Sequence, residues 1–211
     1  MPLKARPADP VMNWAGPYAG VNAGAVWNHS SFTDVDYFFF LLPTGPGNNF
    51  LSNTHVGATA GGLLGYNWQS GNLVYGIEGD ANWVDNKSTT TVFGPVTASS
   101  DLKWISTLRG RVGFTYDPMT LVYATGGVAV ARYSDTWGQP GFEFPNDSTR
   151  VGWTAGGGIE RMFAPHWIGR VEALYSDFGT KTGTQFGAGQ TYRTDFKHSV
   201  TQVRGALSYK W

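Results

Sequence analysis

Apolar and polar residues alternate with a period of two in eight separate runs along this chain, and that pattern narrows the fold more than any other feature. Successive side chains of a strand point to opposite faces, so each run is a strand with one apolar and one polar face. From Gly16 to His29, Ala19, Val21, Ala23, Ala25 and Trp27 alternate with Gly20, Asn22 and Gly24. From Thr54 to Gln69, Val56, Ala58, Ala60, Leu64, Tyr66 and Trp68 alternate with His55, Thr59, Gly61, Gly65 and Asn67. A third run from Leu73 sets Tyr75, Ile77, Ala81 and Trp83 against Glu78, Asp80 and Asn82. Further runs cover Leu102 to Tyr116, Leu121 to Tyr133, Arg150 to Arg161, Trp167 to Asp177 and Phe196 to Trp211; the one from Leu121 alternates least cleanly.

The connections alternate too. Those at Ser70-Gly71-Asn72, Asp117-Pro118 and Ala164-Pro165-His166 are short and built from turn residues. Those at about 30–53, 85–101, 134–149 and 178–195 are long and rich in Gly, Pro, Asn, Thr and Asp. Short turns at one end and long loops at the other describe a transmembrane antiparallel up-and-down β-barrel of eight strands, turns periplasmic and loops extracellular. A soluble barrel alternates as well, with the polar face outward. Here the apolar face carries aromatics at strand ends, Trp68, Tyr75, Trp83, Tyr116, Trp167 and Tyr209, where interfacial girdles lie. The polar face is rich in glycine and mixes arginine with carboxylate, and charged residues make up only 14% of the chain, below the roughly 25% usual for soluble domains. No apolar run approaches the ~18 residues of a membrane helix. The balance of 15 basic and 15 acidic residues gives no footprint for nucleic acid, and without cysteine there are no disulfides or thiolate metal sites. Residues 1–12 read as a flexible periplasmic tail lacking a signal peptide, like the start of an exported mature chain, and 13–211 as the barrel.

The block Asn13-Trp14-Ala15-Gly16-Pro17-Tyr18-Ala19-Gly20 resembles the N-W-x-G-x-Y-x-G opening of the alphaproteobacterial outer-membrane immunogenic proteins, a porin-like family with an OmpA-like barrel. Gly61–Asn67, Leu121–Gly127 and the final Tyr209-Lys210-Trp211 are similar as well. The resemblance implies a place in the bacterial outer membrane, a role in envelope integrity, surface antigenicity and, for some members, haemin binding. It also implies that the closing strand, with Val203, Leu207, Tyr209 and Trp211, is read by the barrel-assembly machinery; Trp211 stands where the family usually has phenylalanine.

Inside the barrel, Glu78 and Asp80 stand a few residues above one turn, Arg109 and Arg111 at similar height on the next strand, and Arg170, Glu172 and Arg204 at comparable heights elsewhere. An eight-stranded barrel is just wide enough for side chains to fill. Acid and guanidinium at one level therefore form a buried ion-pair network, since the planar arginine fork bonds carboxylates bidentately. This network is either a structural plug or the gate of a very narrow pore. His29, His55 and His198 fall near the loop ends of neighbouring strands with no spacing motif between them, so no metal or other cofactor is expected. Tyr37, Phe38, Phe39, Phe40, Leu41 and Leu42 form an apolar loop patch suited to touching the outer leaflet, a neighbouring barrel or a host surface, or to folding over the barrel mouth. Asp34, Asp36 and His55 are not ordered by any catalytic pattern, so no enzyme is expected. The expected role is structural and surface-exposed. The alternatives are a small porin and a ligand binder at the loops, and the expected partners are membrane lipid, the assembly machinery, a second copy or neighbouring envelope proteins.

Overall fold

Each alternating run forms a strand. The computed structural model describes residues 13–34, 49–86, 89–93, 96–139, 142–187 and 190–211, and every regular element among them is a β-strand. The tail 1–12 and the apolar patch Tyr37–Leu42 lie outside the described residues, as does Asp36. In chain order the strands are β1 (Gly16–Asp34), β2 (Asn49–Ser70), β3 (Leu73–Asp85), β4 (Thr89–Phe93), β5 (Val96–Asp117), β6 (Thr120–Gln139), β7 (Phe142–Ala164), β8 (Trp167–Gly187) and β9 (Gln190–Lys210). Chain neighbours other than β3 and β4 pair antiparallel, β1 pairs β9 and β3 pairs β5, so the sheet closes on itself. The short β4 pairs only with β5, beyond the end of β3, and eight strands make the wall. Over the lower part of the wall, below Ala58 and Trp153, closure leaves no edge with unpaired backbone groups, which a barrel in lipid requires.

The three short connections are tight turns. Gly71 takes a φ of 60°, the left-handed conformation that a two-residue hairpin demands and glycine supplies. In the Asp117-Pro118-Met119 turn, the Met119 amide donates to the Asp117 carboxylate at 2.7 Å and holds that carboxyl below the usual range.

The long connections differ from expectation. Much of what reads as loop in 30–53, 85–101, 134–149 and 178–195 continues as strand, so β5 through β9 have 20 to 23 residues each. A membrane crossing needs about 9–11 tilted residues. The remainder projects outward as paired strands, β6 with β7 and β8 with β9, while the β7–β8 ladder stops at Trp153 and Asp177. Alternation is invisible there because water on the outer face removes the need for apolar residues, while segments such as Thr89–Phe93 keep the β-branched bias of strands.

The lumen is layered. At its turn end Trp14, Val74, Leu121, Met162 and Ile168 form a buried apolar floor. Toward the loop end Val26, Val84, Ile105, Ala129, Ala131, Tyr133, Phe178 and Val200 belong to a second apolar cluster. Charged side chains occupy the layer between. This layering explains why β6 alternates poorly. Its inward face carries Leu121, Tyr123, Ala129, Ala131 and Tyr133, and its outward face carries Val122 and Val128, so both faces are apolar.

Consecutive glycines on β6 do opposite jobs. A Cβ on inward Gly127 would run into the Leu108 carbonyl and lie 2.7 Å from the Arg109 Cα, whereas one on outward Gly126 would meet nothing nearer than the Thr154 oxygen at 3.5 Å. Gly127→Ala is therefore expected to destabilise the barrel by about 1–3 kcal/mol through overpacking, and Gly126→Ala to leave it nearly unchanged. Urea unfolding midpoints in detergent, followed by heat-modifiable gel mobility, compare the two. Equal midpoints would contradict this account of the inner wall.

Candidate functional site: the charged belt in the lumen

Four arginines and four carboxylates meet at one level of the barrel: Arg109, Arg111, Arg170 and Arg204 with Glu78, Asp80, Glu160 and Glu172. Their formal charges cancel, and no side chain among them is more than 2% exposed. Strand register brings them together. Glu78 lies opposite Arg109 on β3 and β5, Glu172 opposite Arg204 on β8 and β9, and Glu160 opposite Arg170 on β7 and β8.

Arg109 sits at the centre. Its Nη2 donates to Glu78 at 2.6 Å and Asp80 at 2.9 Å, and its Nη1 donates to Glu172 at 3.0 Å. Two forks are bidentate: Arg204 on Asp80 through Nη1 and Nη2, both at 3.1 Å, and Arg170 on Glu78 at 2.8 and 2.6 Å. Arg204 also donates from Nε to Glu172 at 2.9 Å. Arg111 pairs with Glu160 at 2.9 Å. Hydroxyls and an amide complete the carboxylate shells. Tyr18 donates to Glu78 at 2.7 Å, Tyr123 to Glu172 at 2.6 Å, and Thr107 and Asn82 each to Asp80 at 2.5 Å. The Arg111 guanidinium lies 4.1 Å from the centre of the Tyr123 ring, a cation–π contact in a buried site. The arrangement binds charge to charge across the bore, and every carboxylate in it is engaged by arginine.

All seven charged lumen residues read from the sequence sit in this belt. Glu160, Tyr18 and Tyr123 join them and were not read as members. Glu160 shows the right parity and lies four residues before the Ala164 turn, so its height was readable. The two tyrosines carry inward parity, but aromatic rings in a membrane barrel suggest the interface first.

The three upper histidines do not share one face. His198 is buried inside, hydrogen-bonded to Ser30 at 3.0 Å, whereas His29 is exposed outside, bonded to Thr54 at 2.8 Å. Among the described residues, no group of three His, Cys, Asp or Glu side chains is placed to hold a metal ion.

Outside, the aromatics fall in two bands. Trp68, Tyr75, Phe114, Tyr116, Phe163, Trp167 and Trp211 are exposed near the turns, with Tyr209 beside them stacked edge-on against both Trp167 and Trp211. Trp83, Trp153 and Tyr175 are exposed farther up. On β3 and β8 the two bands are eight residues apart (Tyr75 to Trp83, Trp167 to Tyr175), and on β7 ten (Phe163 to Trp153). That spacing matches one membrane crossing of about 9–11 residues. Between the bands the outer wall is aliphatic apart from Arg161 on β7, with Val21, Leu64, Ile77, Leu108, Val112, Val122, Ile159, Val171, Val203 and Leu207 all exposed.

A closed barrel with this wall defines a class, the small β-barrels of the bacterial outer membrane. Residues 5–200 match the family model described as the outer membrane protein beta-barrel domain. The 31 kDa outer-membrane immunogenic protein of Brucella melitensis is 30% identical over 98% of this chain and 87% of its own length. The 25 kDa outer-membrane immunogenic protein of Brucella abortus is 29% identical over 96% of this chain and 81% of its own. Among solved structures, Neisserial surface protein A superposes over 90% of this chain and 97% of its own, with a TM-score of 0.46 and 10% identity. The chain belongs to this family of outer-membrane β-barrels and resides in the bacterial outer membrane.

Proposed function

We propose that the chain is a closed structural barrel that reinforces the outer membrane and presents its projecting rim as a contact and antigenic surface. The observation that carries this reading is the belt of four arginines and four carboxylates, each side chain at most 2% exposed, set between two apolar layers of the lumen. A conducting pore needs a continuous wet path, and eight strands leave room for side chains only. With the bore filled, what remains to interact is the outer wall and the strands above the upper aromatics. That rim carries exposed charges such as the Arg132–Asp147 pair at 2.9 Å, which is half-exposed on both sides and adds little stability. Neighbouring envelope proteins or a second copy are the partners suited to it. Val203, Leu207, Tyr209 and Trp211 line the outer face of the closing strand, where the assembly machinery would read them. The reading assigns the chain no catalysis.

Planar bilayer recording tests it. Purified, refolded barrel is expected to give no steady single-channel steps in molar potassium chloride. A reproducible open level would replace this reading with that of a small porin.

A further inference from the structure

A groove of about 870 Å³ runs across the outer wall where β7, β8, β9 and β1 meet. Ile159, Phe163, Val171 and Leu207 wall it, and its floor is low because Gly169 and Gly205 carry no side chain there. These glycines are not forced by packing. A Cβ on Gly205 would come no nearer than 3.8 Å to the Arg170 carbonyl, and one on Gly169 no nearer than 3.7 Å to the Phe163 ring. The space is open to side chains and left unfilled.

In the lower part of the groove, opposite Gly169 on the β7–β8 ladder, stands Arg161, exposed, two residues above Phe163 of the lower aromatic band. Among the described residues it is the one arginine or lysine on the outward face of the periplasmic half of the wall. Its Nη1 makes one long hydrogen bond, 3.4 Å, to Thr120 Oγ1. The acid within its field is Asp117 in the turn, whose carboxylate already accepts from the Met119 amide. An exposed guanidinium two residues inside the lower aromatic band, on a side chain long enough to reach the headgroups, complements a phosphate at the periplasmic surface of the bilayer. The groove above it is apolar and lies within the lipid-facing wall, so the partner that fits both ends carries a phosphate and a hydrocarbon chain.

We propose that this groove is a binding site for one phospholipid of the periplasmic leaflet, with its phosphodiester on Arg161 and one acyl chain lying over Gly169 and Gly205. The proposal does not depend on the plugged lumen. Native mass spectrometry of the refolded full chain, titrated with phosphatidylglycerol in detergent, tests it, with diacylglycerol of the same chains as the neutral probe. One adduct is expected to form preferentially with phosphatidylglycerol. Arg161→Gln is expected to weaken it about tenfold, the scale of one charge-assisted contact. The variant Gly169→Leu/Gly205→Leu, which fills the floor from positions that admit a side chain, is expected to weaken it similarly. Heat-modifiable gel mobility verifies that both variants fold. Equal adducts in all three proteins, equal binding of diacylglycerol, or a dimer lost only in the filled variant would each overturn the proposal, the last by assigning the groove to a second copy of the chain.

Discussion

Arg109→Ala is expected to destabilise the barrel by about 3–5 kcal/mol, the scale of breaking a buried ion pair from one side. The size follows from what remains rather than from what is removed. Arg109 touches Glu78, Asp80 and Glu172, and without it the belt holds three arginines against four carboxylates in a buried site with apolar clusters toward both ends of the lumen. An uncompensated carboxylate there must stay charged at a desolvation cost, take up a proton or draw water in past the floor, and each route costs stability. Urea unfolding in detergent micelles measures it, and an unchanged midpoint would mean that the belt does not hold the barrel together. A paired removal separates charge balance from contact number. Arg111→Met with Glu160→Gln deletes a 2.9 Å ion pair yet keeps the belt neutral, so the double variant is expected to lose less than the sum of its single variants.

The belt was largely readable from the sequence because two periods coincide. Parity selects the inward residues, and distance from a tight turn sets approximate height, so the Ser70-Gly71-Asn72 and Asp117-Pro118 turns place Glu78 and Arg109 at similar heights on adjoining strands, and the ladder sets them opposite each other. The unread part has a different origin. Tyr18, Tyr123, Leu121 and Tyr133 point inward but are chemically indistinguishable from residues that face lipid. Alternation reports contrast between faces, and contrast vanishes wherever an apolar lumen layer backs an apolar wall, as along β6. It vanishes again above the membrane, where both faces tolerate polar residues. That is why strands that continue to Gln139 and Gly187 read as loops. The exterior groove left no periodic mark, since Gly169 and Gly205 gain meaning only when β8 and β9 lie side by side.

One residue away from Arg109, the same chemistry changes sign with direction. Leu108 is 62% exposed on the outer wall of β5, between the exposed Phe114 below and Trp104 above, and so lies near the middle of the apolar band. An arginine there has hydrocarbon around it and no carboxylate within the wall to meet. Leu108→Arg is expected to cost about 2–4 kcal/mol, the depth-dependent cost of a cation on the lipid face near the midplane. Val151→Arg starts from a comparably exposed valine, 68%, two residues beyond Trp153 toward the rim. Its side chain reaches headgroups and water, and its cost is expected at about 0–1 kcal/mol. Urea titration of both variants in lipid vesicles measures the difference. Equal costs would show that the aromatic bands do not bound the hydrocarbon layer and would remove the basis for placing the membrane between them. A large gap would tie the depth of the wall to the height of the belt: Leu108 points out where Arg109 points in, and an arginine is stable at that level only on the side that holds Glu78, Asp80 and Glu172.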